Sequence, residues 1–277
     1  MIKILVILLS IGLSTGLTLL LNLNEVWKIV VGIVGFSLTF FLFFIILFFG
    51  IVGLFALRVR SNEVPVRYSK TYRKLYNVHQ FLLLSLFSVK LTVNGMEKVP
   101  NDTNFVLLQN HLSNIDPIFT DYAFRKYPLI FVSKESLFKI PFFGKIIRHI
   151  GYIKLSRQNG VDDAKELMRE LRWVRSEECS LCFYPEGTRN KFYPEPLLLE
   201  FKEGAIGIAM KTGKPIIIST IHGSEDINNK LLFKIHNLQI DVLKVISPDE
   251  YNNMSADELS KTIEIVKKYN VPLIIQP

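Results

Sequence analysis

Apolar positions along the chain first appear as two long unbroken runs. From Ile4 to Leu21 eighteen residues are apolar or small, and from Ile29 to Leu57 twenty-nine pass without a charge. At 1.5 Å per residue these make helices of about 27 and about 43 Å, against a hydrocarbon thickness of roughly 30 Å. The pattern predicts a two-helix transmembrane hairpin over residues 1–60, its second helix tilted or running past the interface. Gly12 and Gly16 form a GxxxG pair that would let the helices approach closely. A signal peptide is the competing reading of the first run, since Lys3 precedes it, although no A-x-A-like cleavage site follows.

The next segment, 61–90, mixes Tyr68, Tyr72, Tyr76 and the run Phe81–Phe87 with Arg67, Lys70, Arg73 and Lys74. Its apolar run is too short to span. The composition predicts an interfacial helical segment, aromatics inward and cations towards anionic head groups. A helix packed on the core of the following domain is the alternative.

From residue 91 onward, short β-rich runs alternate with helical patterns. Leu91–Val93, Phe105–Gln109, Leu129–Val132, Ile153–Leu155, Ser180–Tyr184 and Pro215–Ile221 have strand length and composition. Helical patterns cover Pro117–Lys126, Asp162–Arg175, Lys202–Lys211 and Ser255–Tyr269, the last opened by a Ser255/Glu258 capping box. This predicts an α/β domain over 91–277: a mixed, largely parallel sheet flanked by helices, with antiparallel pairing near Ile235–Ile246.

Charge sharpens the division. Of 33 basic and 25 acidic residues, the first 57 positions hold only Lys3, Glu25 and Lys28, so nearly all of the net +8 lies in the body. A multispan transporter, a disulfide scaffold and a wholly soluble chain are excluded. The cluster Arg58, Arg60, Arg67, Lys70, Arg73 and Lys74 follows the second run directly. By the positive-inside rule both ends of the hairpin are cytoplasmic, which puts the α/β domain on the cytoplasmic face of the cell (inner) membrane. The same cluster fits anionic membrane lipid rather than nucleic acid. Cys179 and Cys182 form a lone CxxC with no second ligand pair, a poor zinc site. Neither a Walker A motif nor a GxGxxG is present, which argues against a nucleotide cofactor, and no G-x-S-x-G elbow supports a serine hydrolase.

Three predicted strand ends carry candidate chemistry. Asn110-His111 follows the Phe105–Gln109 strand, with Asp116-Pro117 five residues beyond the histidine. Five helical positions are about 140° apart, so His111 and Asp116 meet only across a turn that precedes a helix started by Pro117. The plain alternative makes Asp116 the helix N-cap and His111 a surface loop residue. Phe183-Tyr184-Pro185-Glu186-Gly187-Thr188-Arg189 ends the second strand, Gly151–Arg157 spans the third, and Phe201-Lys202-Glu203-Gly204 adds a cation beside a glycine. Open α/β sheets bind ligands at the carboxyl ends of their strands, and arginine grips phosphate bidentately. One base among several cations points to an anionic substrate with a hydroxyl to deprotonate.

Taken together, these blocks resemble the glycerolipid acyltransferase family, most closely its 1-acylglycerol-3-phosphate (lysophosphatidate) acyltransferases. The resemblance runs over roughly residues 90–222. It rests on Asn110, His111 and Asp116 for Asn-His-x4-Asp, and on Gly151 to Arg157 for the Gly-x5-Arg strand. Phe183 and Pro185–Arg189 match Phe-x-Pro-Glu-Gly-Thr-Arg, and Phe201, Lys202, Gly204 and Ala205 match Phe-Lys-x-Gly-Ala. The last block departs: Ile218-Ser219 stand where a second proline is usual after Pro215-Ile216-Ile217.

The resemblance implies that His111 is the general base and Asp116 its orienting carboxylate. The acceptor alkoxide then attacks an acyl thioester with no covalent acyl-enzyme. It implies that Arg157, Arg189 and Lys202 hold the glycerol phosphate, and that Glu186 orders the glycerol or the loop. Gly187 and Thr188 would offer backbone donors to the oxyanion, and Lys134 would be a further phosphate ligand. Lysophosphatidate, an acyl-carrier-protein or coenzyme A thioester, and membrane lipid are the implied partners, with no metal or cofactor. Glycerol 3-phosphate or another lysophospholipid is the alternative acceptor, and a silent lipid-binding membrane protein the alternative class.

Overall fold

A computed structural model describes residues 2–21, 25–57, 70–86, 88–141, 143–155, 179–193, 198–228 and 235–269, with scattered positions between 165 and 176. The two apolar runs form α1 (Ile2–Leu20) and α2 (Val26–Leu57), which pack against each other. Within α2, Val26–Phe44 is long and apolar enough to cross a membrane by length and composition. The face of α1 that is shielded carries Ser10, Ser14 and Thr18, four residues apart, and the Ser14 and Ser37 hydroxyls meet at 2.7 Å. Small polar residues bring the backbones together here. The glycine expectation fails: among the described residues a Cβ on Gly12 or Gly16 would meet nothing within 4 Å.

Helix α3 (Lys70–Leu86) contacts α1 but also docks on the α/β body. Arg73, Tyr76, Gln80 and Leu84 are buried on one face, as the packed-helix alternative requires. Lys74, Val78 and Phe81 lie on the opposite stripe, the latter two 56% and 48% exposed. One helix therefore carries a mixed polar and apolar docking face and an apolar-cationic outer face.

The body contains β1 (Val89–Asn94), β2 (Val106–Gln109), α4 (Asp116–Ala123), β3 (Leu129–Lys134), α5 (Glu135–Phe138), α6 (Phe143–His149) and β4 (Ile153–Leu155). It continues with β5 (Ser180–Phe183), α7 (Glu203–Met210), β6 (Ile216–His222), β7 (His236–Ile246), α8 (Pro248–Tyr251) and α9 (Ala256–Tyr269). The described strands make one sheet in the order β1-β7-β6-β2-β5-β3-β4. β6, β2, β5, β3 and β4 run parallel, while β7 is antiparallel to β6 and β1 parallel to β7.

Burial follows the sequence pattern. β2 and β5 are near-continuous apolar runs buried at every position, as central parallel strands must be when helices cover the sheet. β1 alternates half-buried and exposed residues and lies at the sheet edge. Two helical groups cover the strands, α3, α4 and α6 in one and α7 with α9 in the other. The Asn94-Gly95 turn needs its glycine: φ is +77°, and a Cβ would sit 2.4 Å from the Val242 carbonyl oxygen. The predicted helix over 162–175 falls mostly outside the described residues, although Leu167 and Leu171 are buried in the core.

Because five strands run the same way, the carboxyl ends of β2, β3, β4, β5 and β6 lie along one edge of the sheet. That geometry assembles the site.

Candidate active site

β2 ends at Gln109, and the chain turns through Asn110–Ile115 before α4 begins at Asp116. The Asn110 side chain locks this turn to β6, donating to the Ile221 carbonyl (3.0 Å) and accepting from the Ile221 N–H (2.8 Å). Pro117 sits at the start of α4, where its missing N–H costs nothing.

Asp116 is not the N-cap. Ile115 holds that place without a side-chain cap, and the fully buried carboxylate points back into the turn. Its Oδ2 accepts from Leu112 N–H (2.7 Å) and Ser113 N–H (2.8 Å) and meets His111 Nδ1 at 2.8 Å. An oxygen that already accepts two N–H donors is an acceptor, which places the imidazole proton on Nδ1. Nε2 is then left as the basic nitrogen of a side chain 17% exposed.

The loop after β5 braces the histidine from the other side. The His111 N–H donates to Glu186 Oε1 (3.2 Å), and the His111 carbonyl accepts from Asn190 N–H (2.7 Å). Glu186, itself buried, also accepts from Leu199 N–H (3.3 Å), so it ties three segments together. Tyr184 stacks on the imidazole, with ring centroids 4.2 Å apart and planes 18° from parallel. Burial, with the nearby Cys182 thiol and Asp116 carboxylate, holds the Tyr184 phenol far above its usual range, so its ring packs as a neutral group.

Gly187 turns the chain at φ +67°. The Lys202 side chain passes directly over it: a Cβ at Gly187 would lie 2.7 Å from Lys202 Cε. Lys202 caps the start of α7, and its N–H donates to the Pro185 carbonyl (2.9 Å). Thr188 is exposed and Arg189 half-buried on the same loop. Lys134 is the exposed last residue of β3, beyond β5 in the sheet, and makes no ion pair among the described residues.

The fold therefore gathers His111, Asp116, Glu186, Gly187 and Lys202 at adjacent strand ends, with Thr188 and Arg189 on the same loop and Lys134 one strand further along. Arg157 lies outside the described residues. Asn190 and the Tyr184 stack extend the site beyond the predicted set. Tyr184 is adjacent in sequence to Pro185-Glu186, but only the β2–β5 pairing sets it against His111. Among the described residues no three His, Cys, Asp or Glu side chains are gathered to hold a metal ion. Cys179 and Cys182 are both buried and are not joined in a disulfide.

This arrangement can take a proton from a hydroxyl at Nε2, hold the resulting imidazolium against a buried carboxylate, and offer cations and a glycine turn to an anionic ligand. The Acyltransferase family profile matches residues 90–222. A 1-acyl-sn-glycerol-3-phosphate acyltransferase of Borreliella burgdorferi is 30% identical over 194 residues, covering 66% of this chain and 76% of that protein. The enzyme of the same name from Salmonella typhimurium is 28% identical over 177 residues, covering 64% and 69%. In structure, the 1-acyl-sn-glycerophosphate acyltransferase of Thermotoga maritima superposes with a TM-score of 0.61 at 24% identity, over 83% of this chain and 90% of that one.

Proposed function

This chain belongs to the acyltransferase family, and within it we propose that it transfers an acyl group from an acyl thioester to the free hydroxyl of lysophosphatidate, giving phosphatidate. The observation that carries the reading is the imidazole of His111, fixed through Nδ1 on a buried carboxylate with Nε2 left basic. The names of the bacterial relatives support the acceptor.

In the proposed reaction His111 Nε2 takes the proton of the acceptor hydroxyl as its oxygen attacks the thioester carbonyl. The tetrahedral intermediate collapses with loss of the thiolate, which recovers the proton from the imidazolium. An ester C–O bond replaces the C–S bond, and no covalent acyl-enzyme forms. Asp116 keeps the imidazole in the required tautomer. Arg157, Arg189, Lys202 and Lys134 serve the acceptor phosphate, and the turn at Gly187–Thr188 faces the developing oxyanion. The thiol carrier is an acyl-carrier protein or coenzyme A.

The acceptor is itself a membrane lipid, which gives the N-terminal elements their purpose. Residues 1–60 form the membrane hairpin and residues 61–90 the interfacial segment, with Lys74, Val78 and Phe81 towards lipid. Residues 91–277 form the catalytic domain on the cytoplasmic face of the cell membrane.

Purified full-length protein, given radiolabelled acyl thioester with and without lysophosphatidate, tests this. Phosphatidate that forms only with acceptor, and not with His111→Ala, is the expected result. Fatty acid released at the same rate without acceptor would overturn it.

A further inference from the structure

Two polar side chains of α3 grip α4, the short helix whose first residue is Asp116. The buried guanidinium of Arg73 pairs with Asp121 Oδ1 and donates to the carbonyls of Leu129 (3.0 Å) and Tyr127 (3.3 Å). Buried Gln80 donates to Asp121 Oδ2 (2.8 Å) and to the Ile118 carbonyl (3.1 Å). Both oxygens of one fully buried carboxylate are thus held from α3. From the other side Thr120 donates to the Gln109 amide oxygen at the end of β2. α4 has eight residues, and Asp121 lies about 7.5 Å along its axis from Asp116 at 1.5 Å per residue. Within so short a rigid element, a displacement at Asp121 is a displacement at Asp116.

Stability alone does not account for this clamp. Replacing a buried ion pair by apolar residues of similar volume is often neutral or stabilising, because charge desolvation offsets much of the Coulombic gain. Burial works against the carboxylate here, pushing the Asp121 carboxyl up to about 6 despite Arg73 and Gln80. What a fully satisfied hydrogen-bond network adds to apolar packing is directional geometry, which rigidifies the contact and specifies one arrangement. Register matters at the other end of α4, where proton transfer tolerates about 0.5 Å of misplacement.

We propose that Arg73 and Gln80 are positioning residues for the reaction: by fixing Asp121 and the Ile118 carbonyl they set α4 at the register where Asp116 Oδ2 meets His111 Nδ1. The inference rests on the acyltransferase reading of that pair. It makes the helix that follows the apolar anchor part of the catalytic alignment.

The test replaces the whole clamp, so that no charge is left buried alone. The triple variant Arg73→Met, Gln80→Leu, Asp121→Leu, in the full-length chain, is compared with the parent for kcat, both KM values and thermal midpoint. The expected result is a thermal midpoint within about 5 °C and KM values within two-fold, with kcat reduced about tenfold or more. A kcat within two-fold of the parent would show the clamp to be merely structural and sink the proposal. If the triple variant does not fold, Gln80→Leu alone keeps the ion pair. It is expected to lower kcat about three-fold at a near-parent thermal midpoint, and an unchanged kcat overturns the proposal equally.

A second readout is independent of turnover. In protein carrying 15N-histidine, the Nδ1 proton bonded to Asp116 is expected as a downfield resonance that His111→Ala and Asp116→Asn remove. It should broaden or vanish in the clamp variant, and its persistence unchanged would refute positioning. Failure of the parent to make phosphatidate would instead fault the functional reading, leaving this resonance to judge the clamp.

Discussion

His111 at the end of β2 and the cations beyond β3 and β5 share one edge of the sheet, yet they are held very differently. The histidine has its ring nitrogen, backbone N–H, carbonyl and ring face all engaged, by Asp116, Glu186, Asn190 and Tyr184. Lys134 and Lys202 are exposed, Arg189 is half-buried, and none of the three makes an ion pair among the described residues. The difference follows from the work proposed for each. Proton transfer needs a geometry fixed before substrate arrives, and long cationic side chains can adapt to a mobile lipid phosphate at modest cost.

Removing the fixed partner should have the largest effect. His111→Ala is expected to reduce phosphatidate formation by about 10²-fold or more while the thermal midpoint stays within a few degrees. Next comes the brace behind it. Glu186→Ala leaves the His111 and Leu199 N–H groups without their acceptor and should lower stability by about 2–3 kcal/mol in denaturant melts. Glu186→Gln keeps one acceptor oxygen and should fall between that variant and the parent. On the adaptable side, Arg189→Ala or Lys202→Ala should raise the acceptor KM about tenfold, with kcat within two-fold. That penalty should shrink as salt screens the remaining cations. A kcat loss equal to that of His111→Ala would abolish the distinction. Smallest is Gly187→Ala. Its φ of +67° costs an L-residue about 1–2 kcal/mol, and Lys202 must swing aside, so a few-fold rise in acceptor KM is expected.

Features encoded locally were legible in the sequence. The β2 and β5 runs, the Ser255/Glu258 capping box and the His111–Asp116 turn each declare themselves within a few residues. What depends on distant partners was not. Arg73 stands in a row of cations that follows the apolar runs and looks in sequence like one more lipid contact. Its buried partner Asp121 is 48 residues away. α5 and α6, at four and seven residues, are too short for an apolar period to register. The contact face of α1 follows its serines and threonine rather than its glycines, because α2 lies on that side. Asp116 resembles an N-cap by position, but its carboxylate turns backwards to the loop N–H groups.

The outermost ladder of the sheet has a consequence for how the protein is made. β1 is paired along its whole length with β7, Val89 opposite His236 through Asn94 opposite Asp241. During synthesis β1 leaves the ribosome directly behind α3, and nearly 150 residues pass before its partner exists. Until translation delivers β7, that edge offers unpaired N–H and C=O groups to neighbouring chains. The alternation of Lys90, Thr92 and Asn94 along it keeps one side polar during the wait. Pairing of β1 thus waits on β7, the last strand in chain order among the described residues.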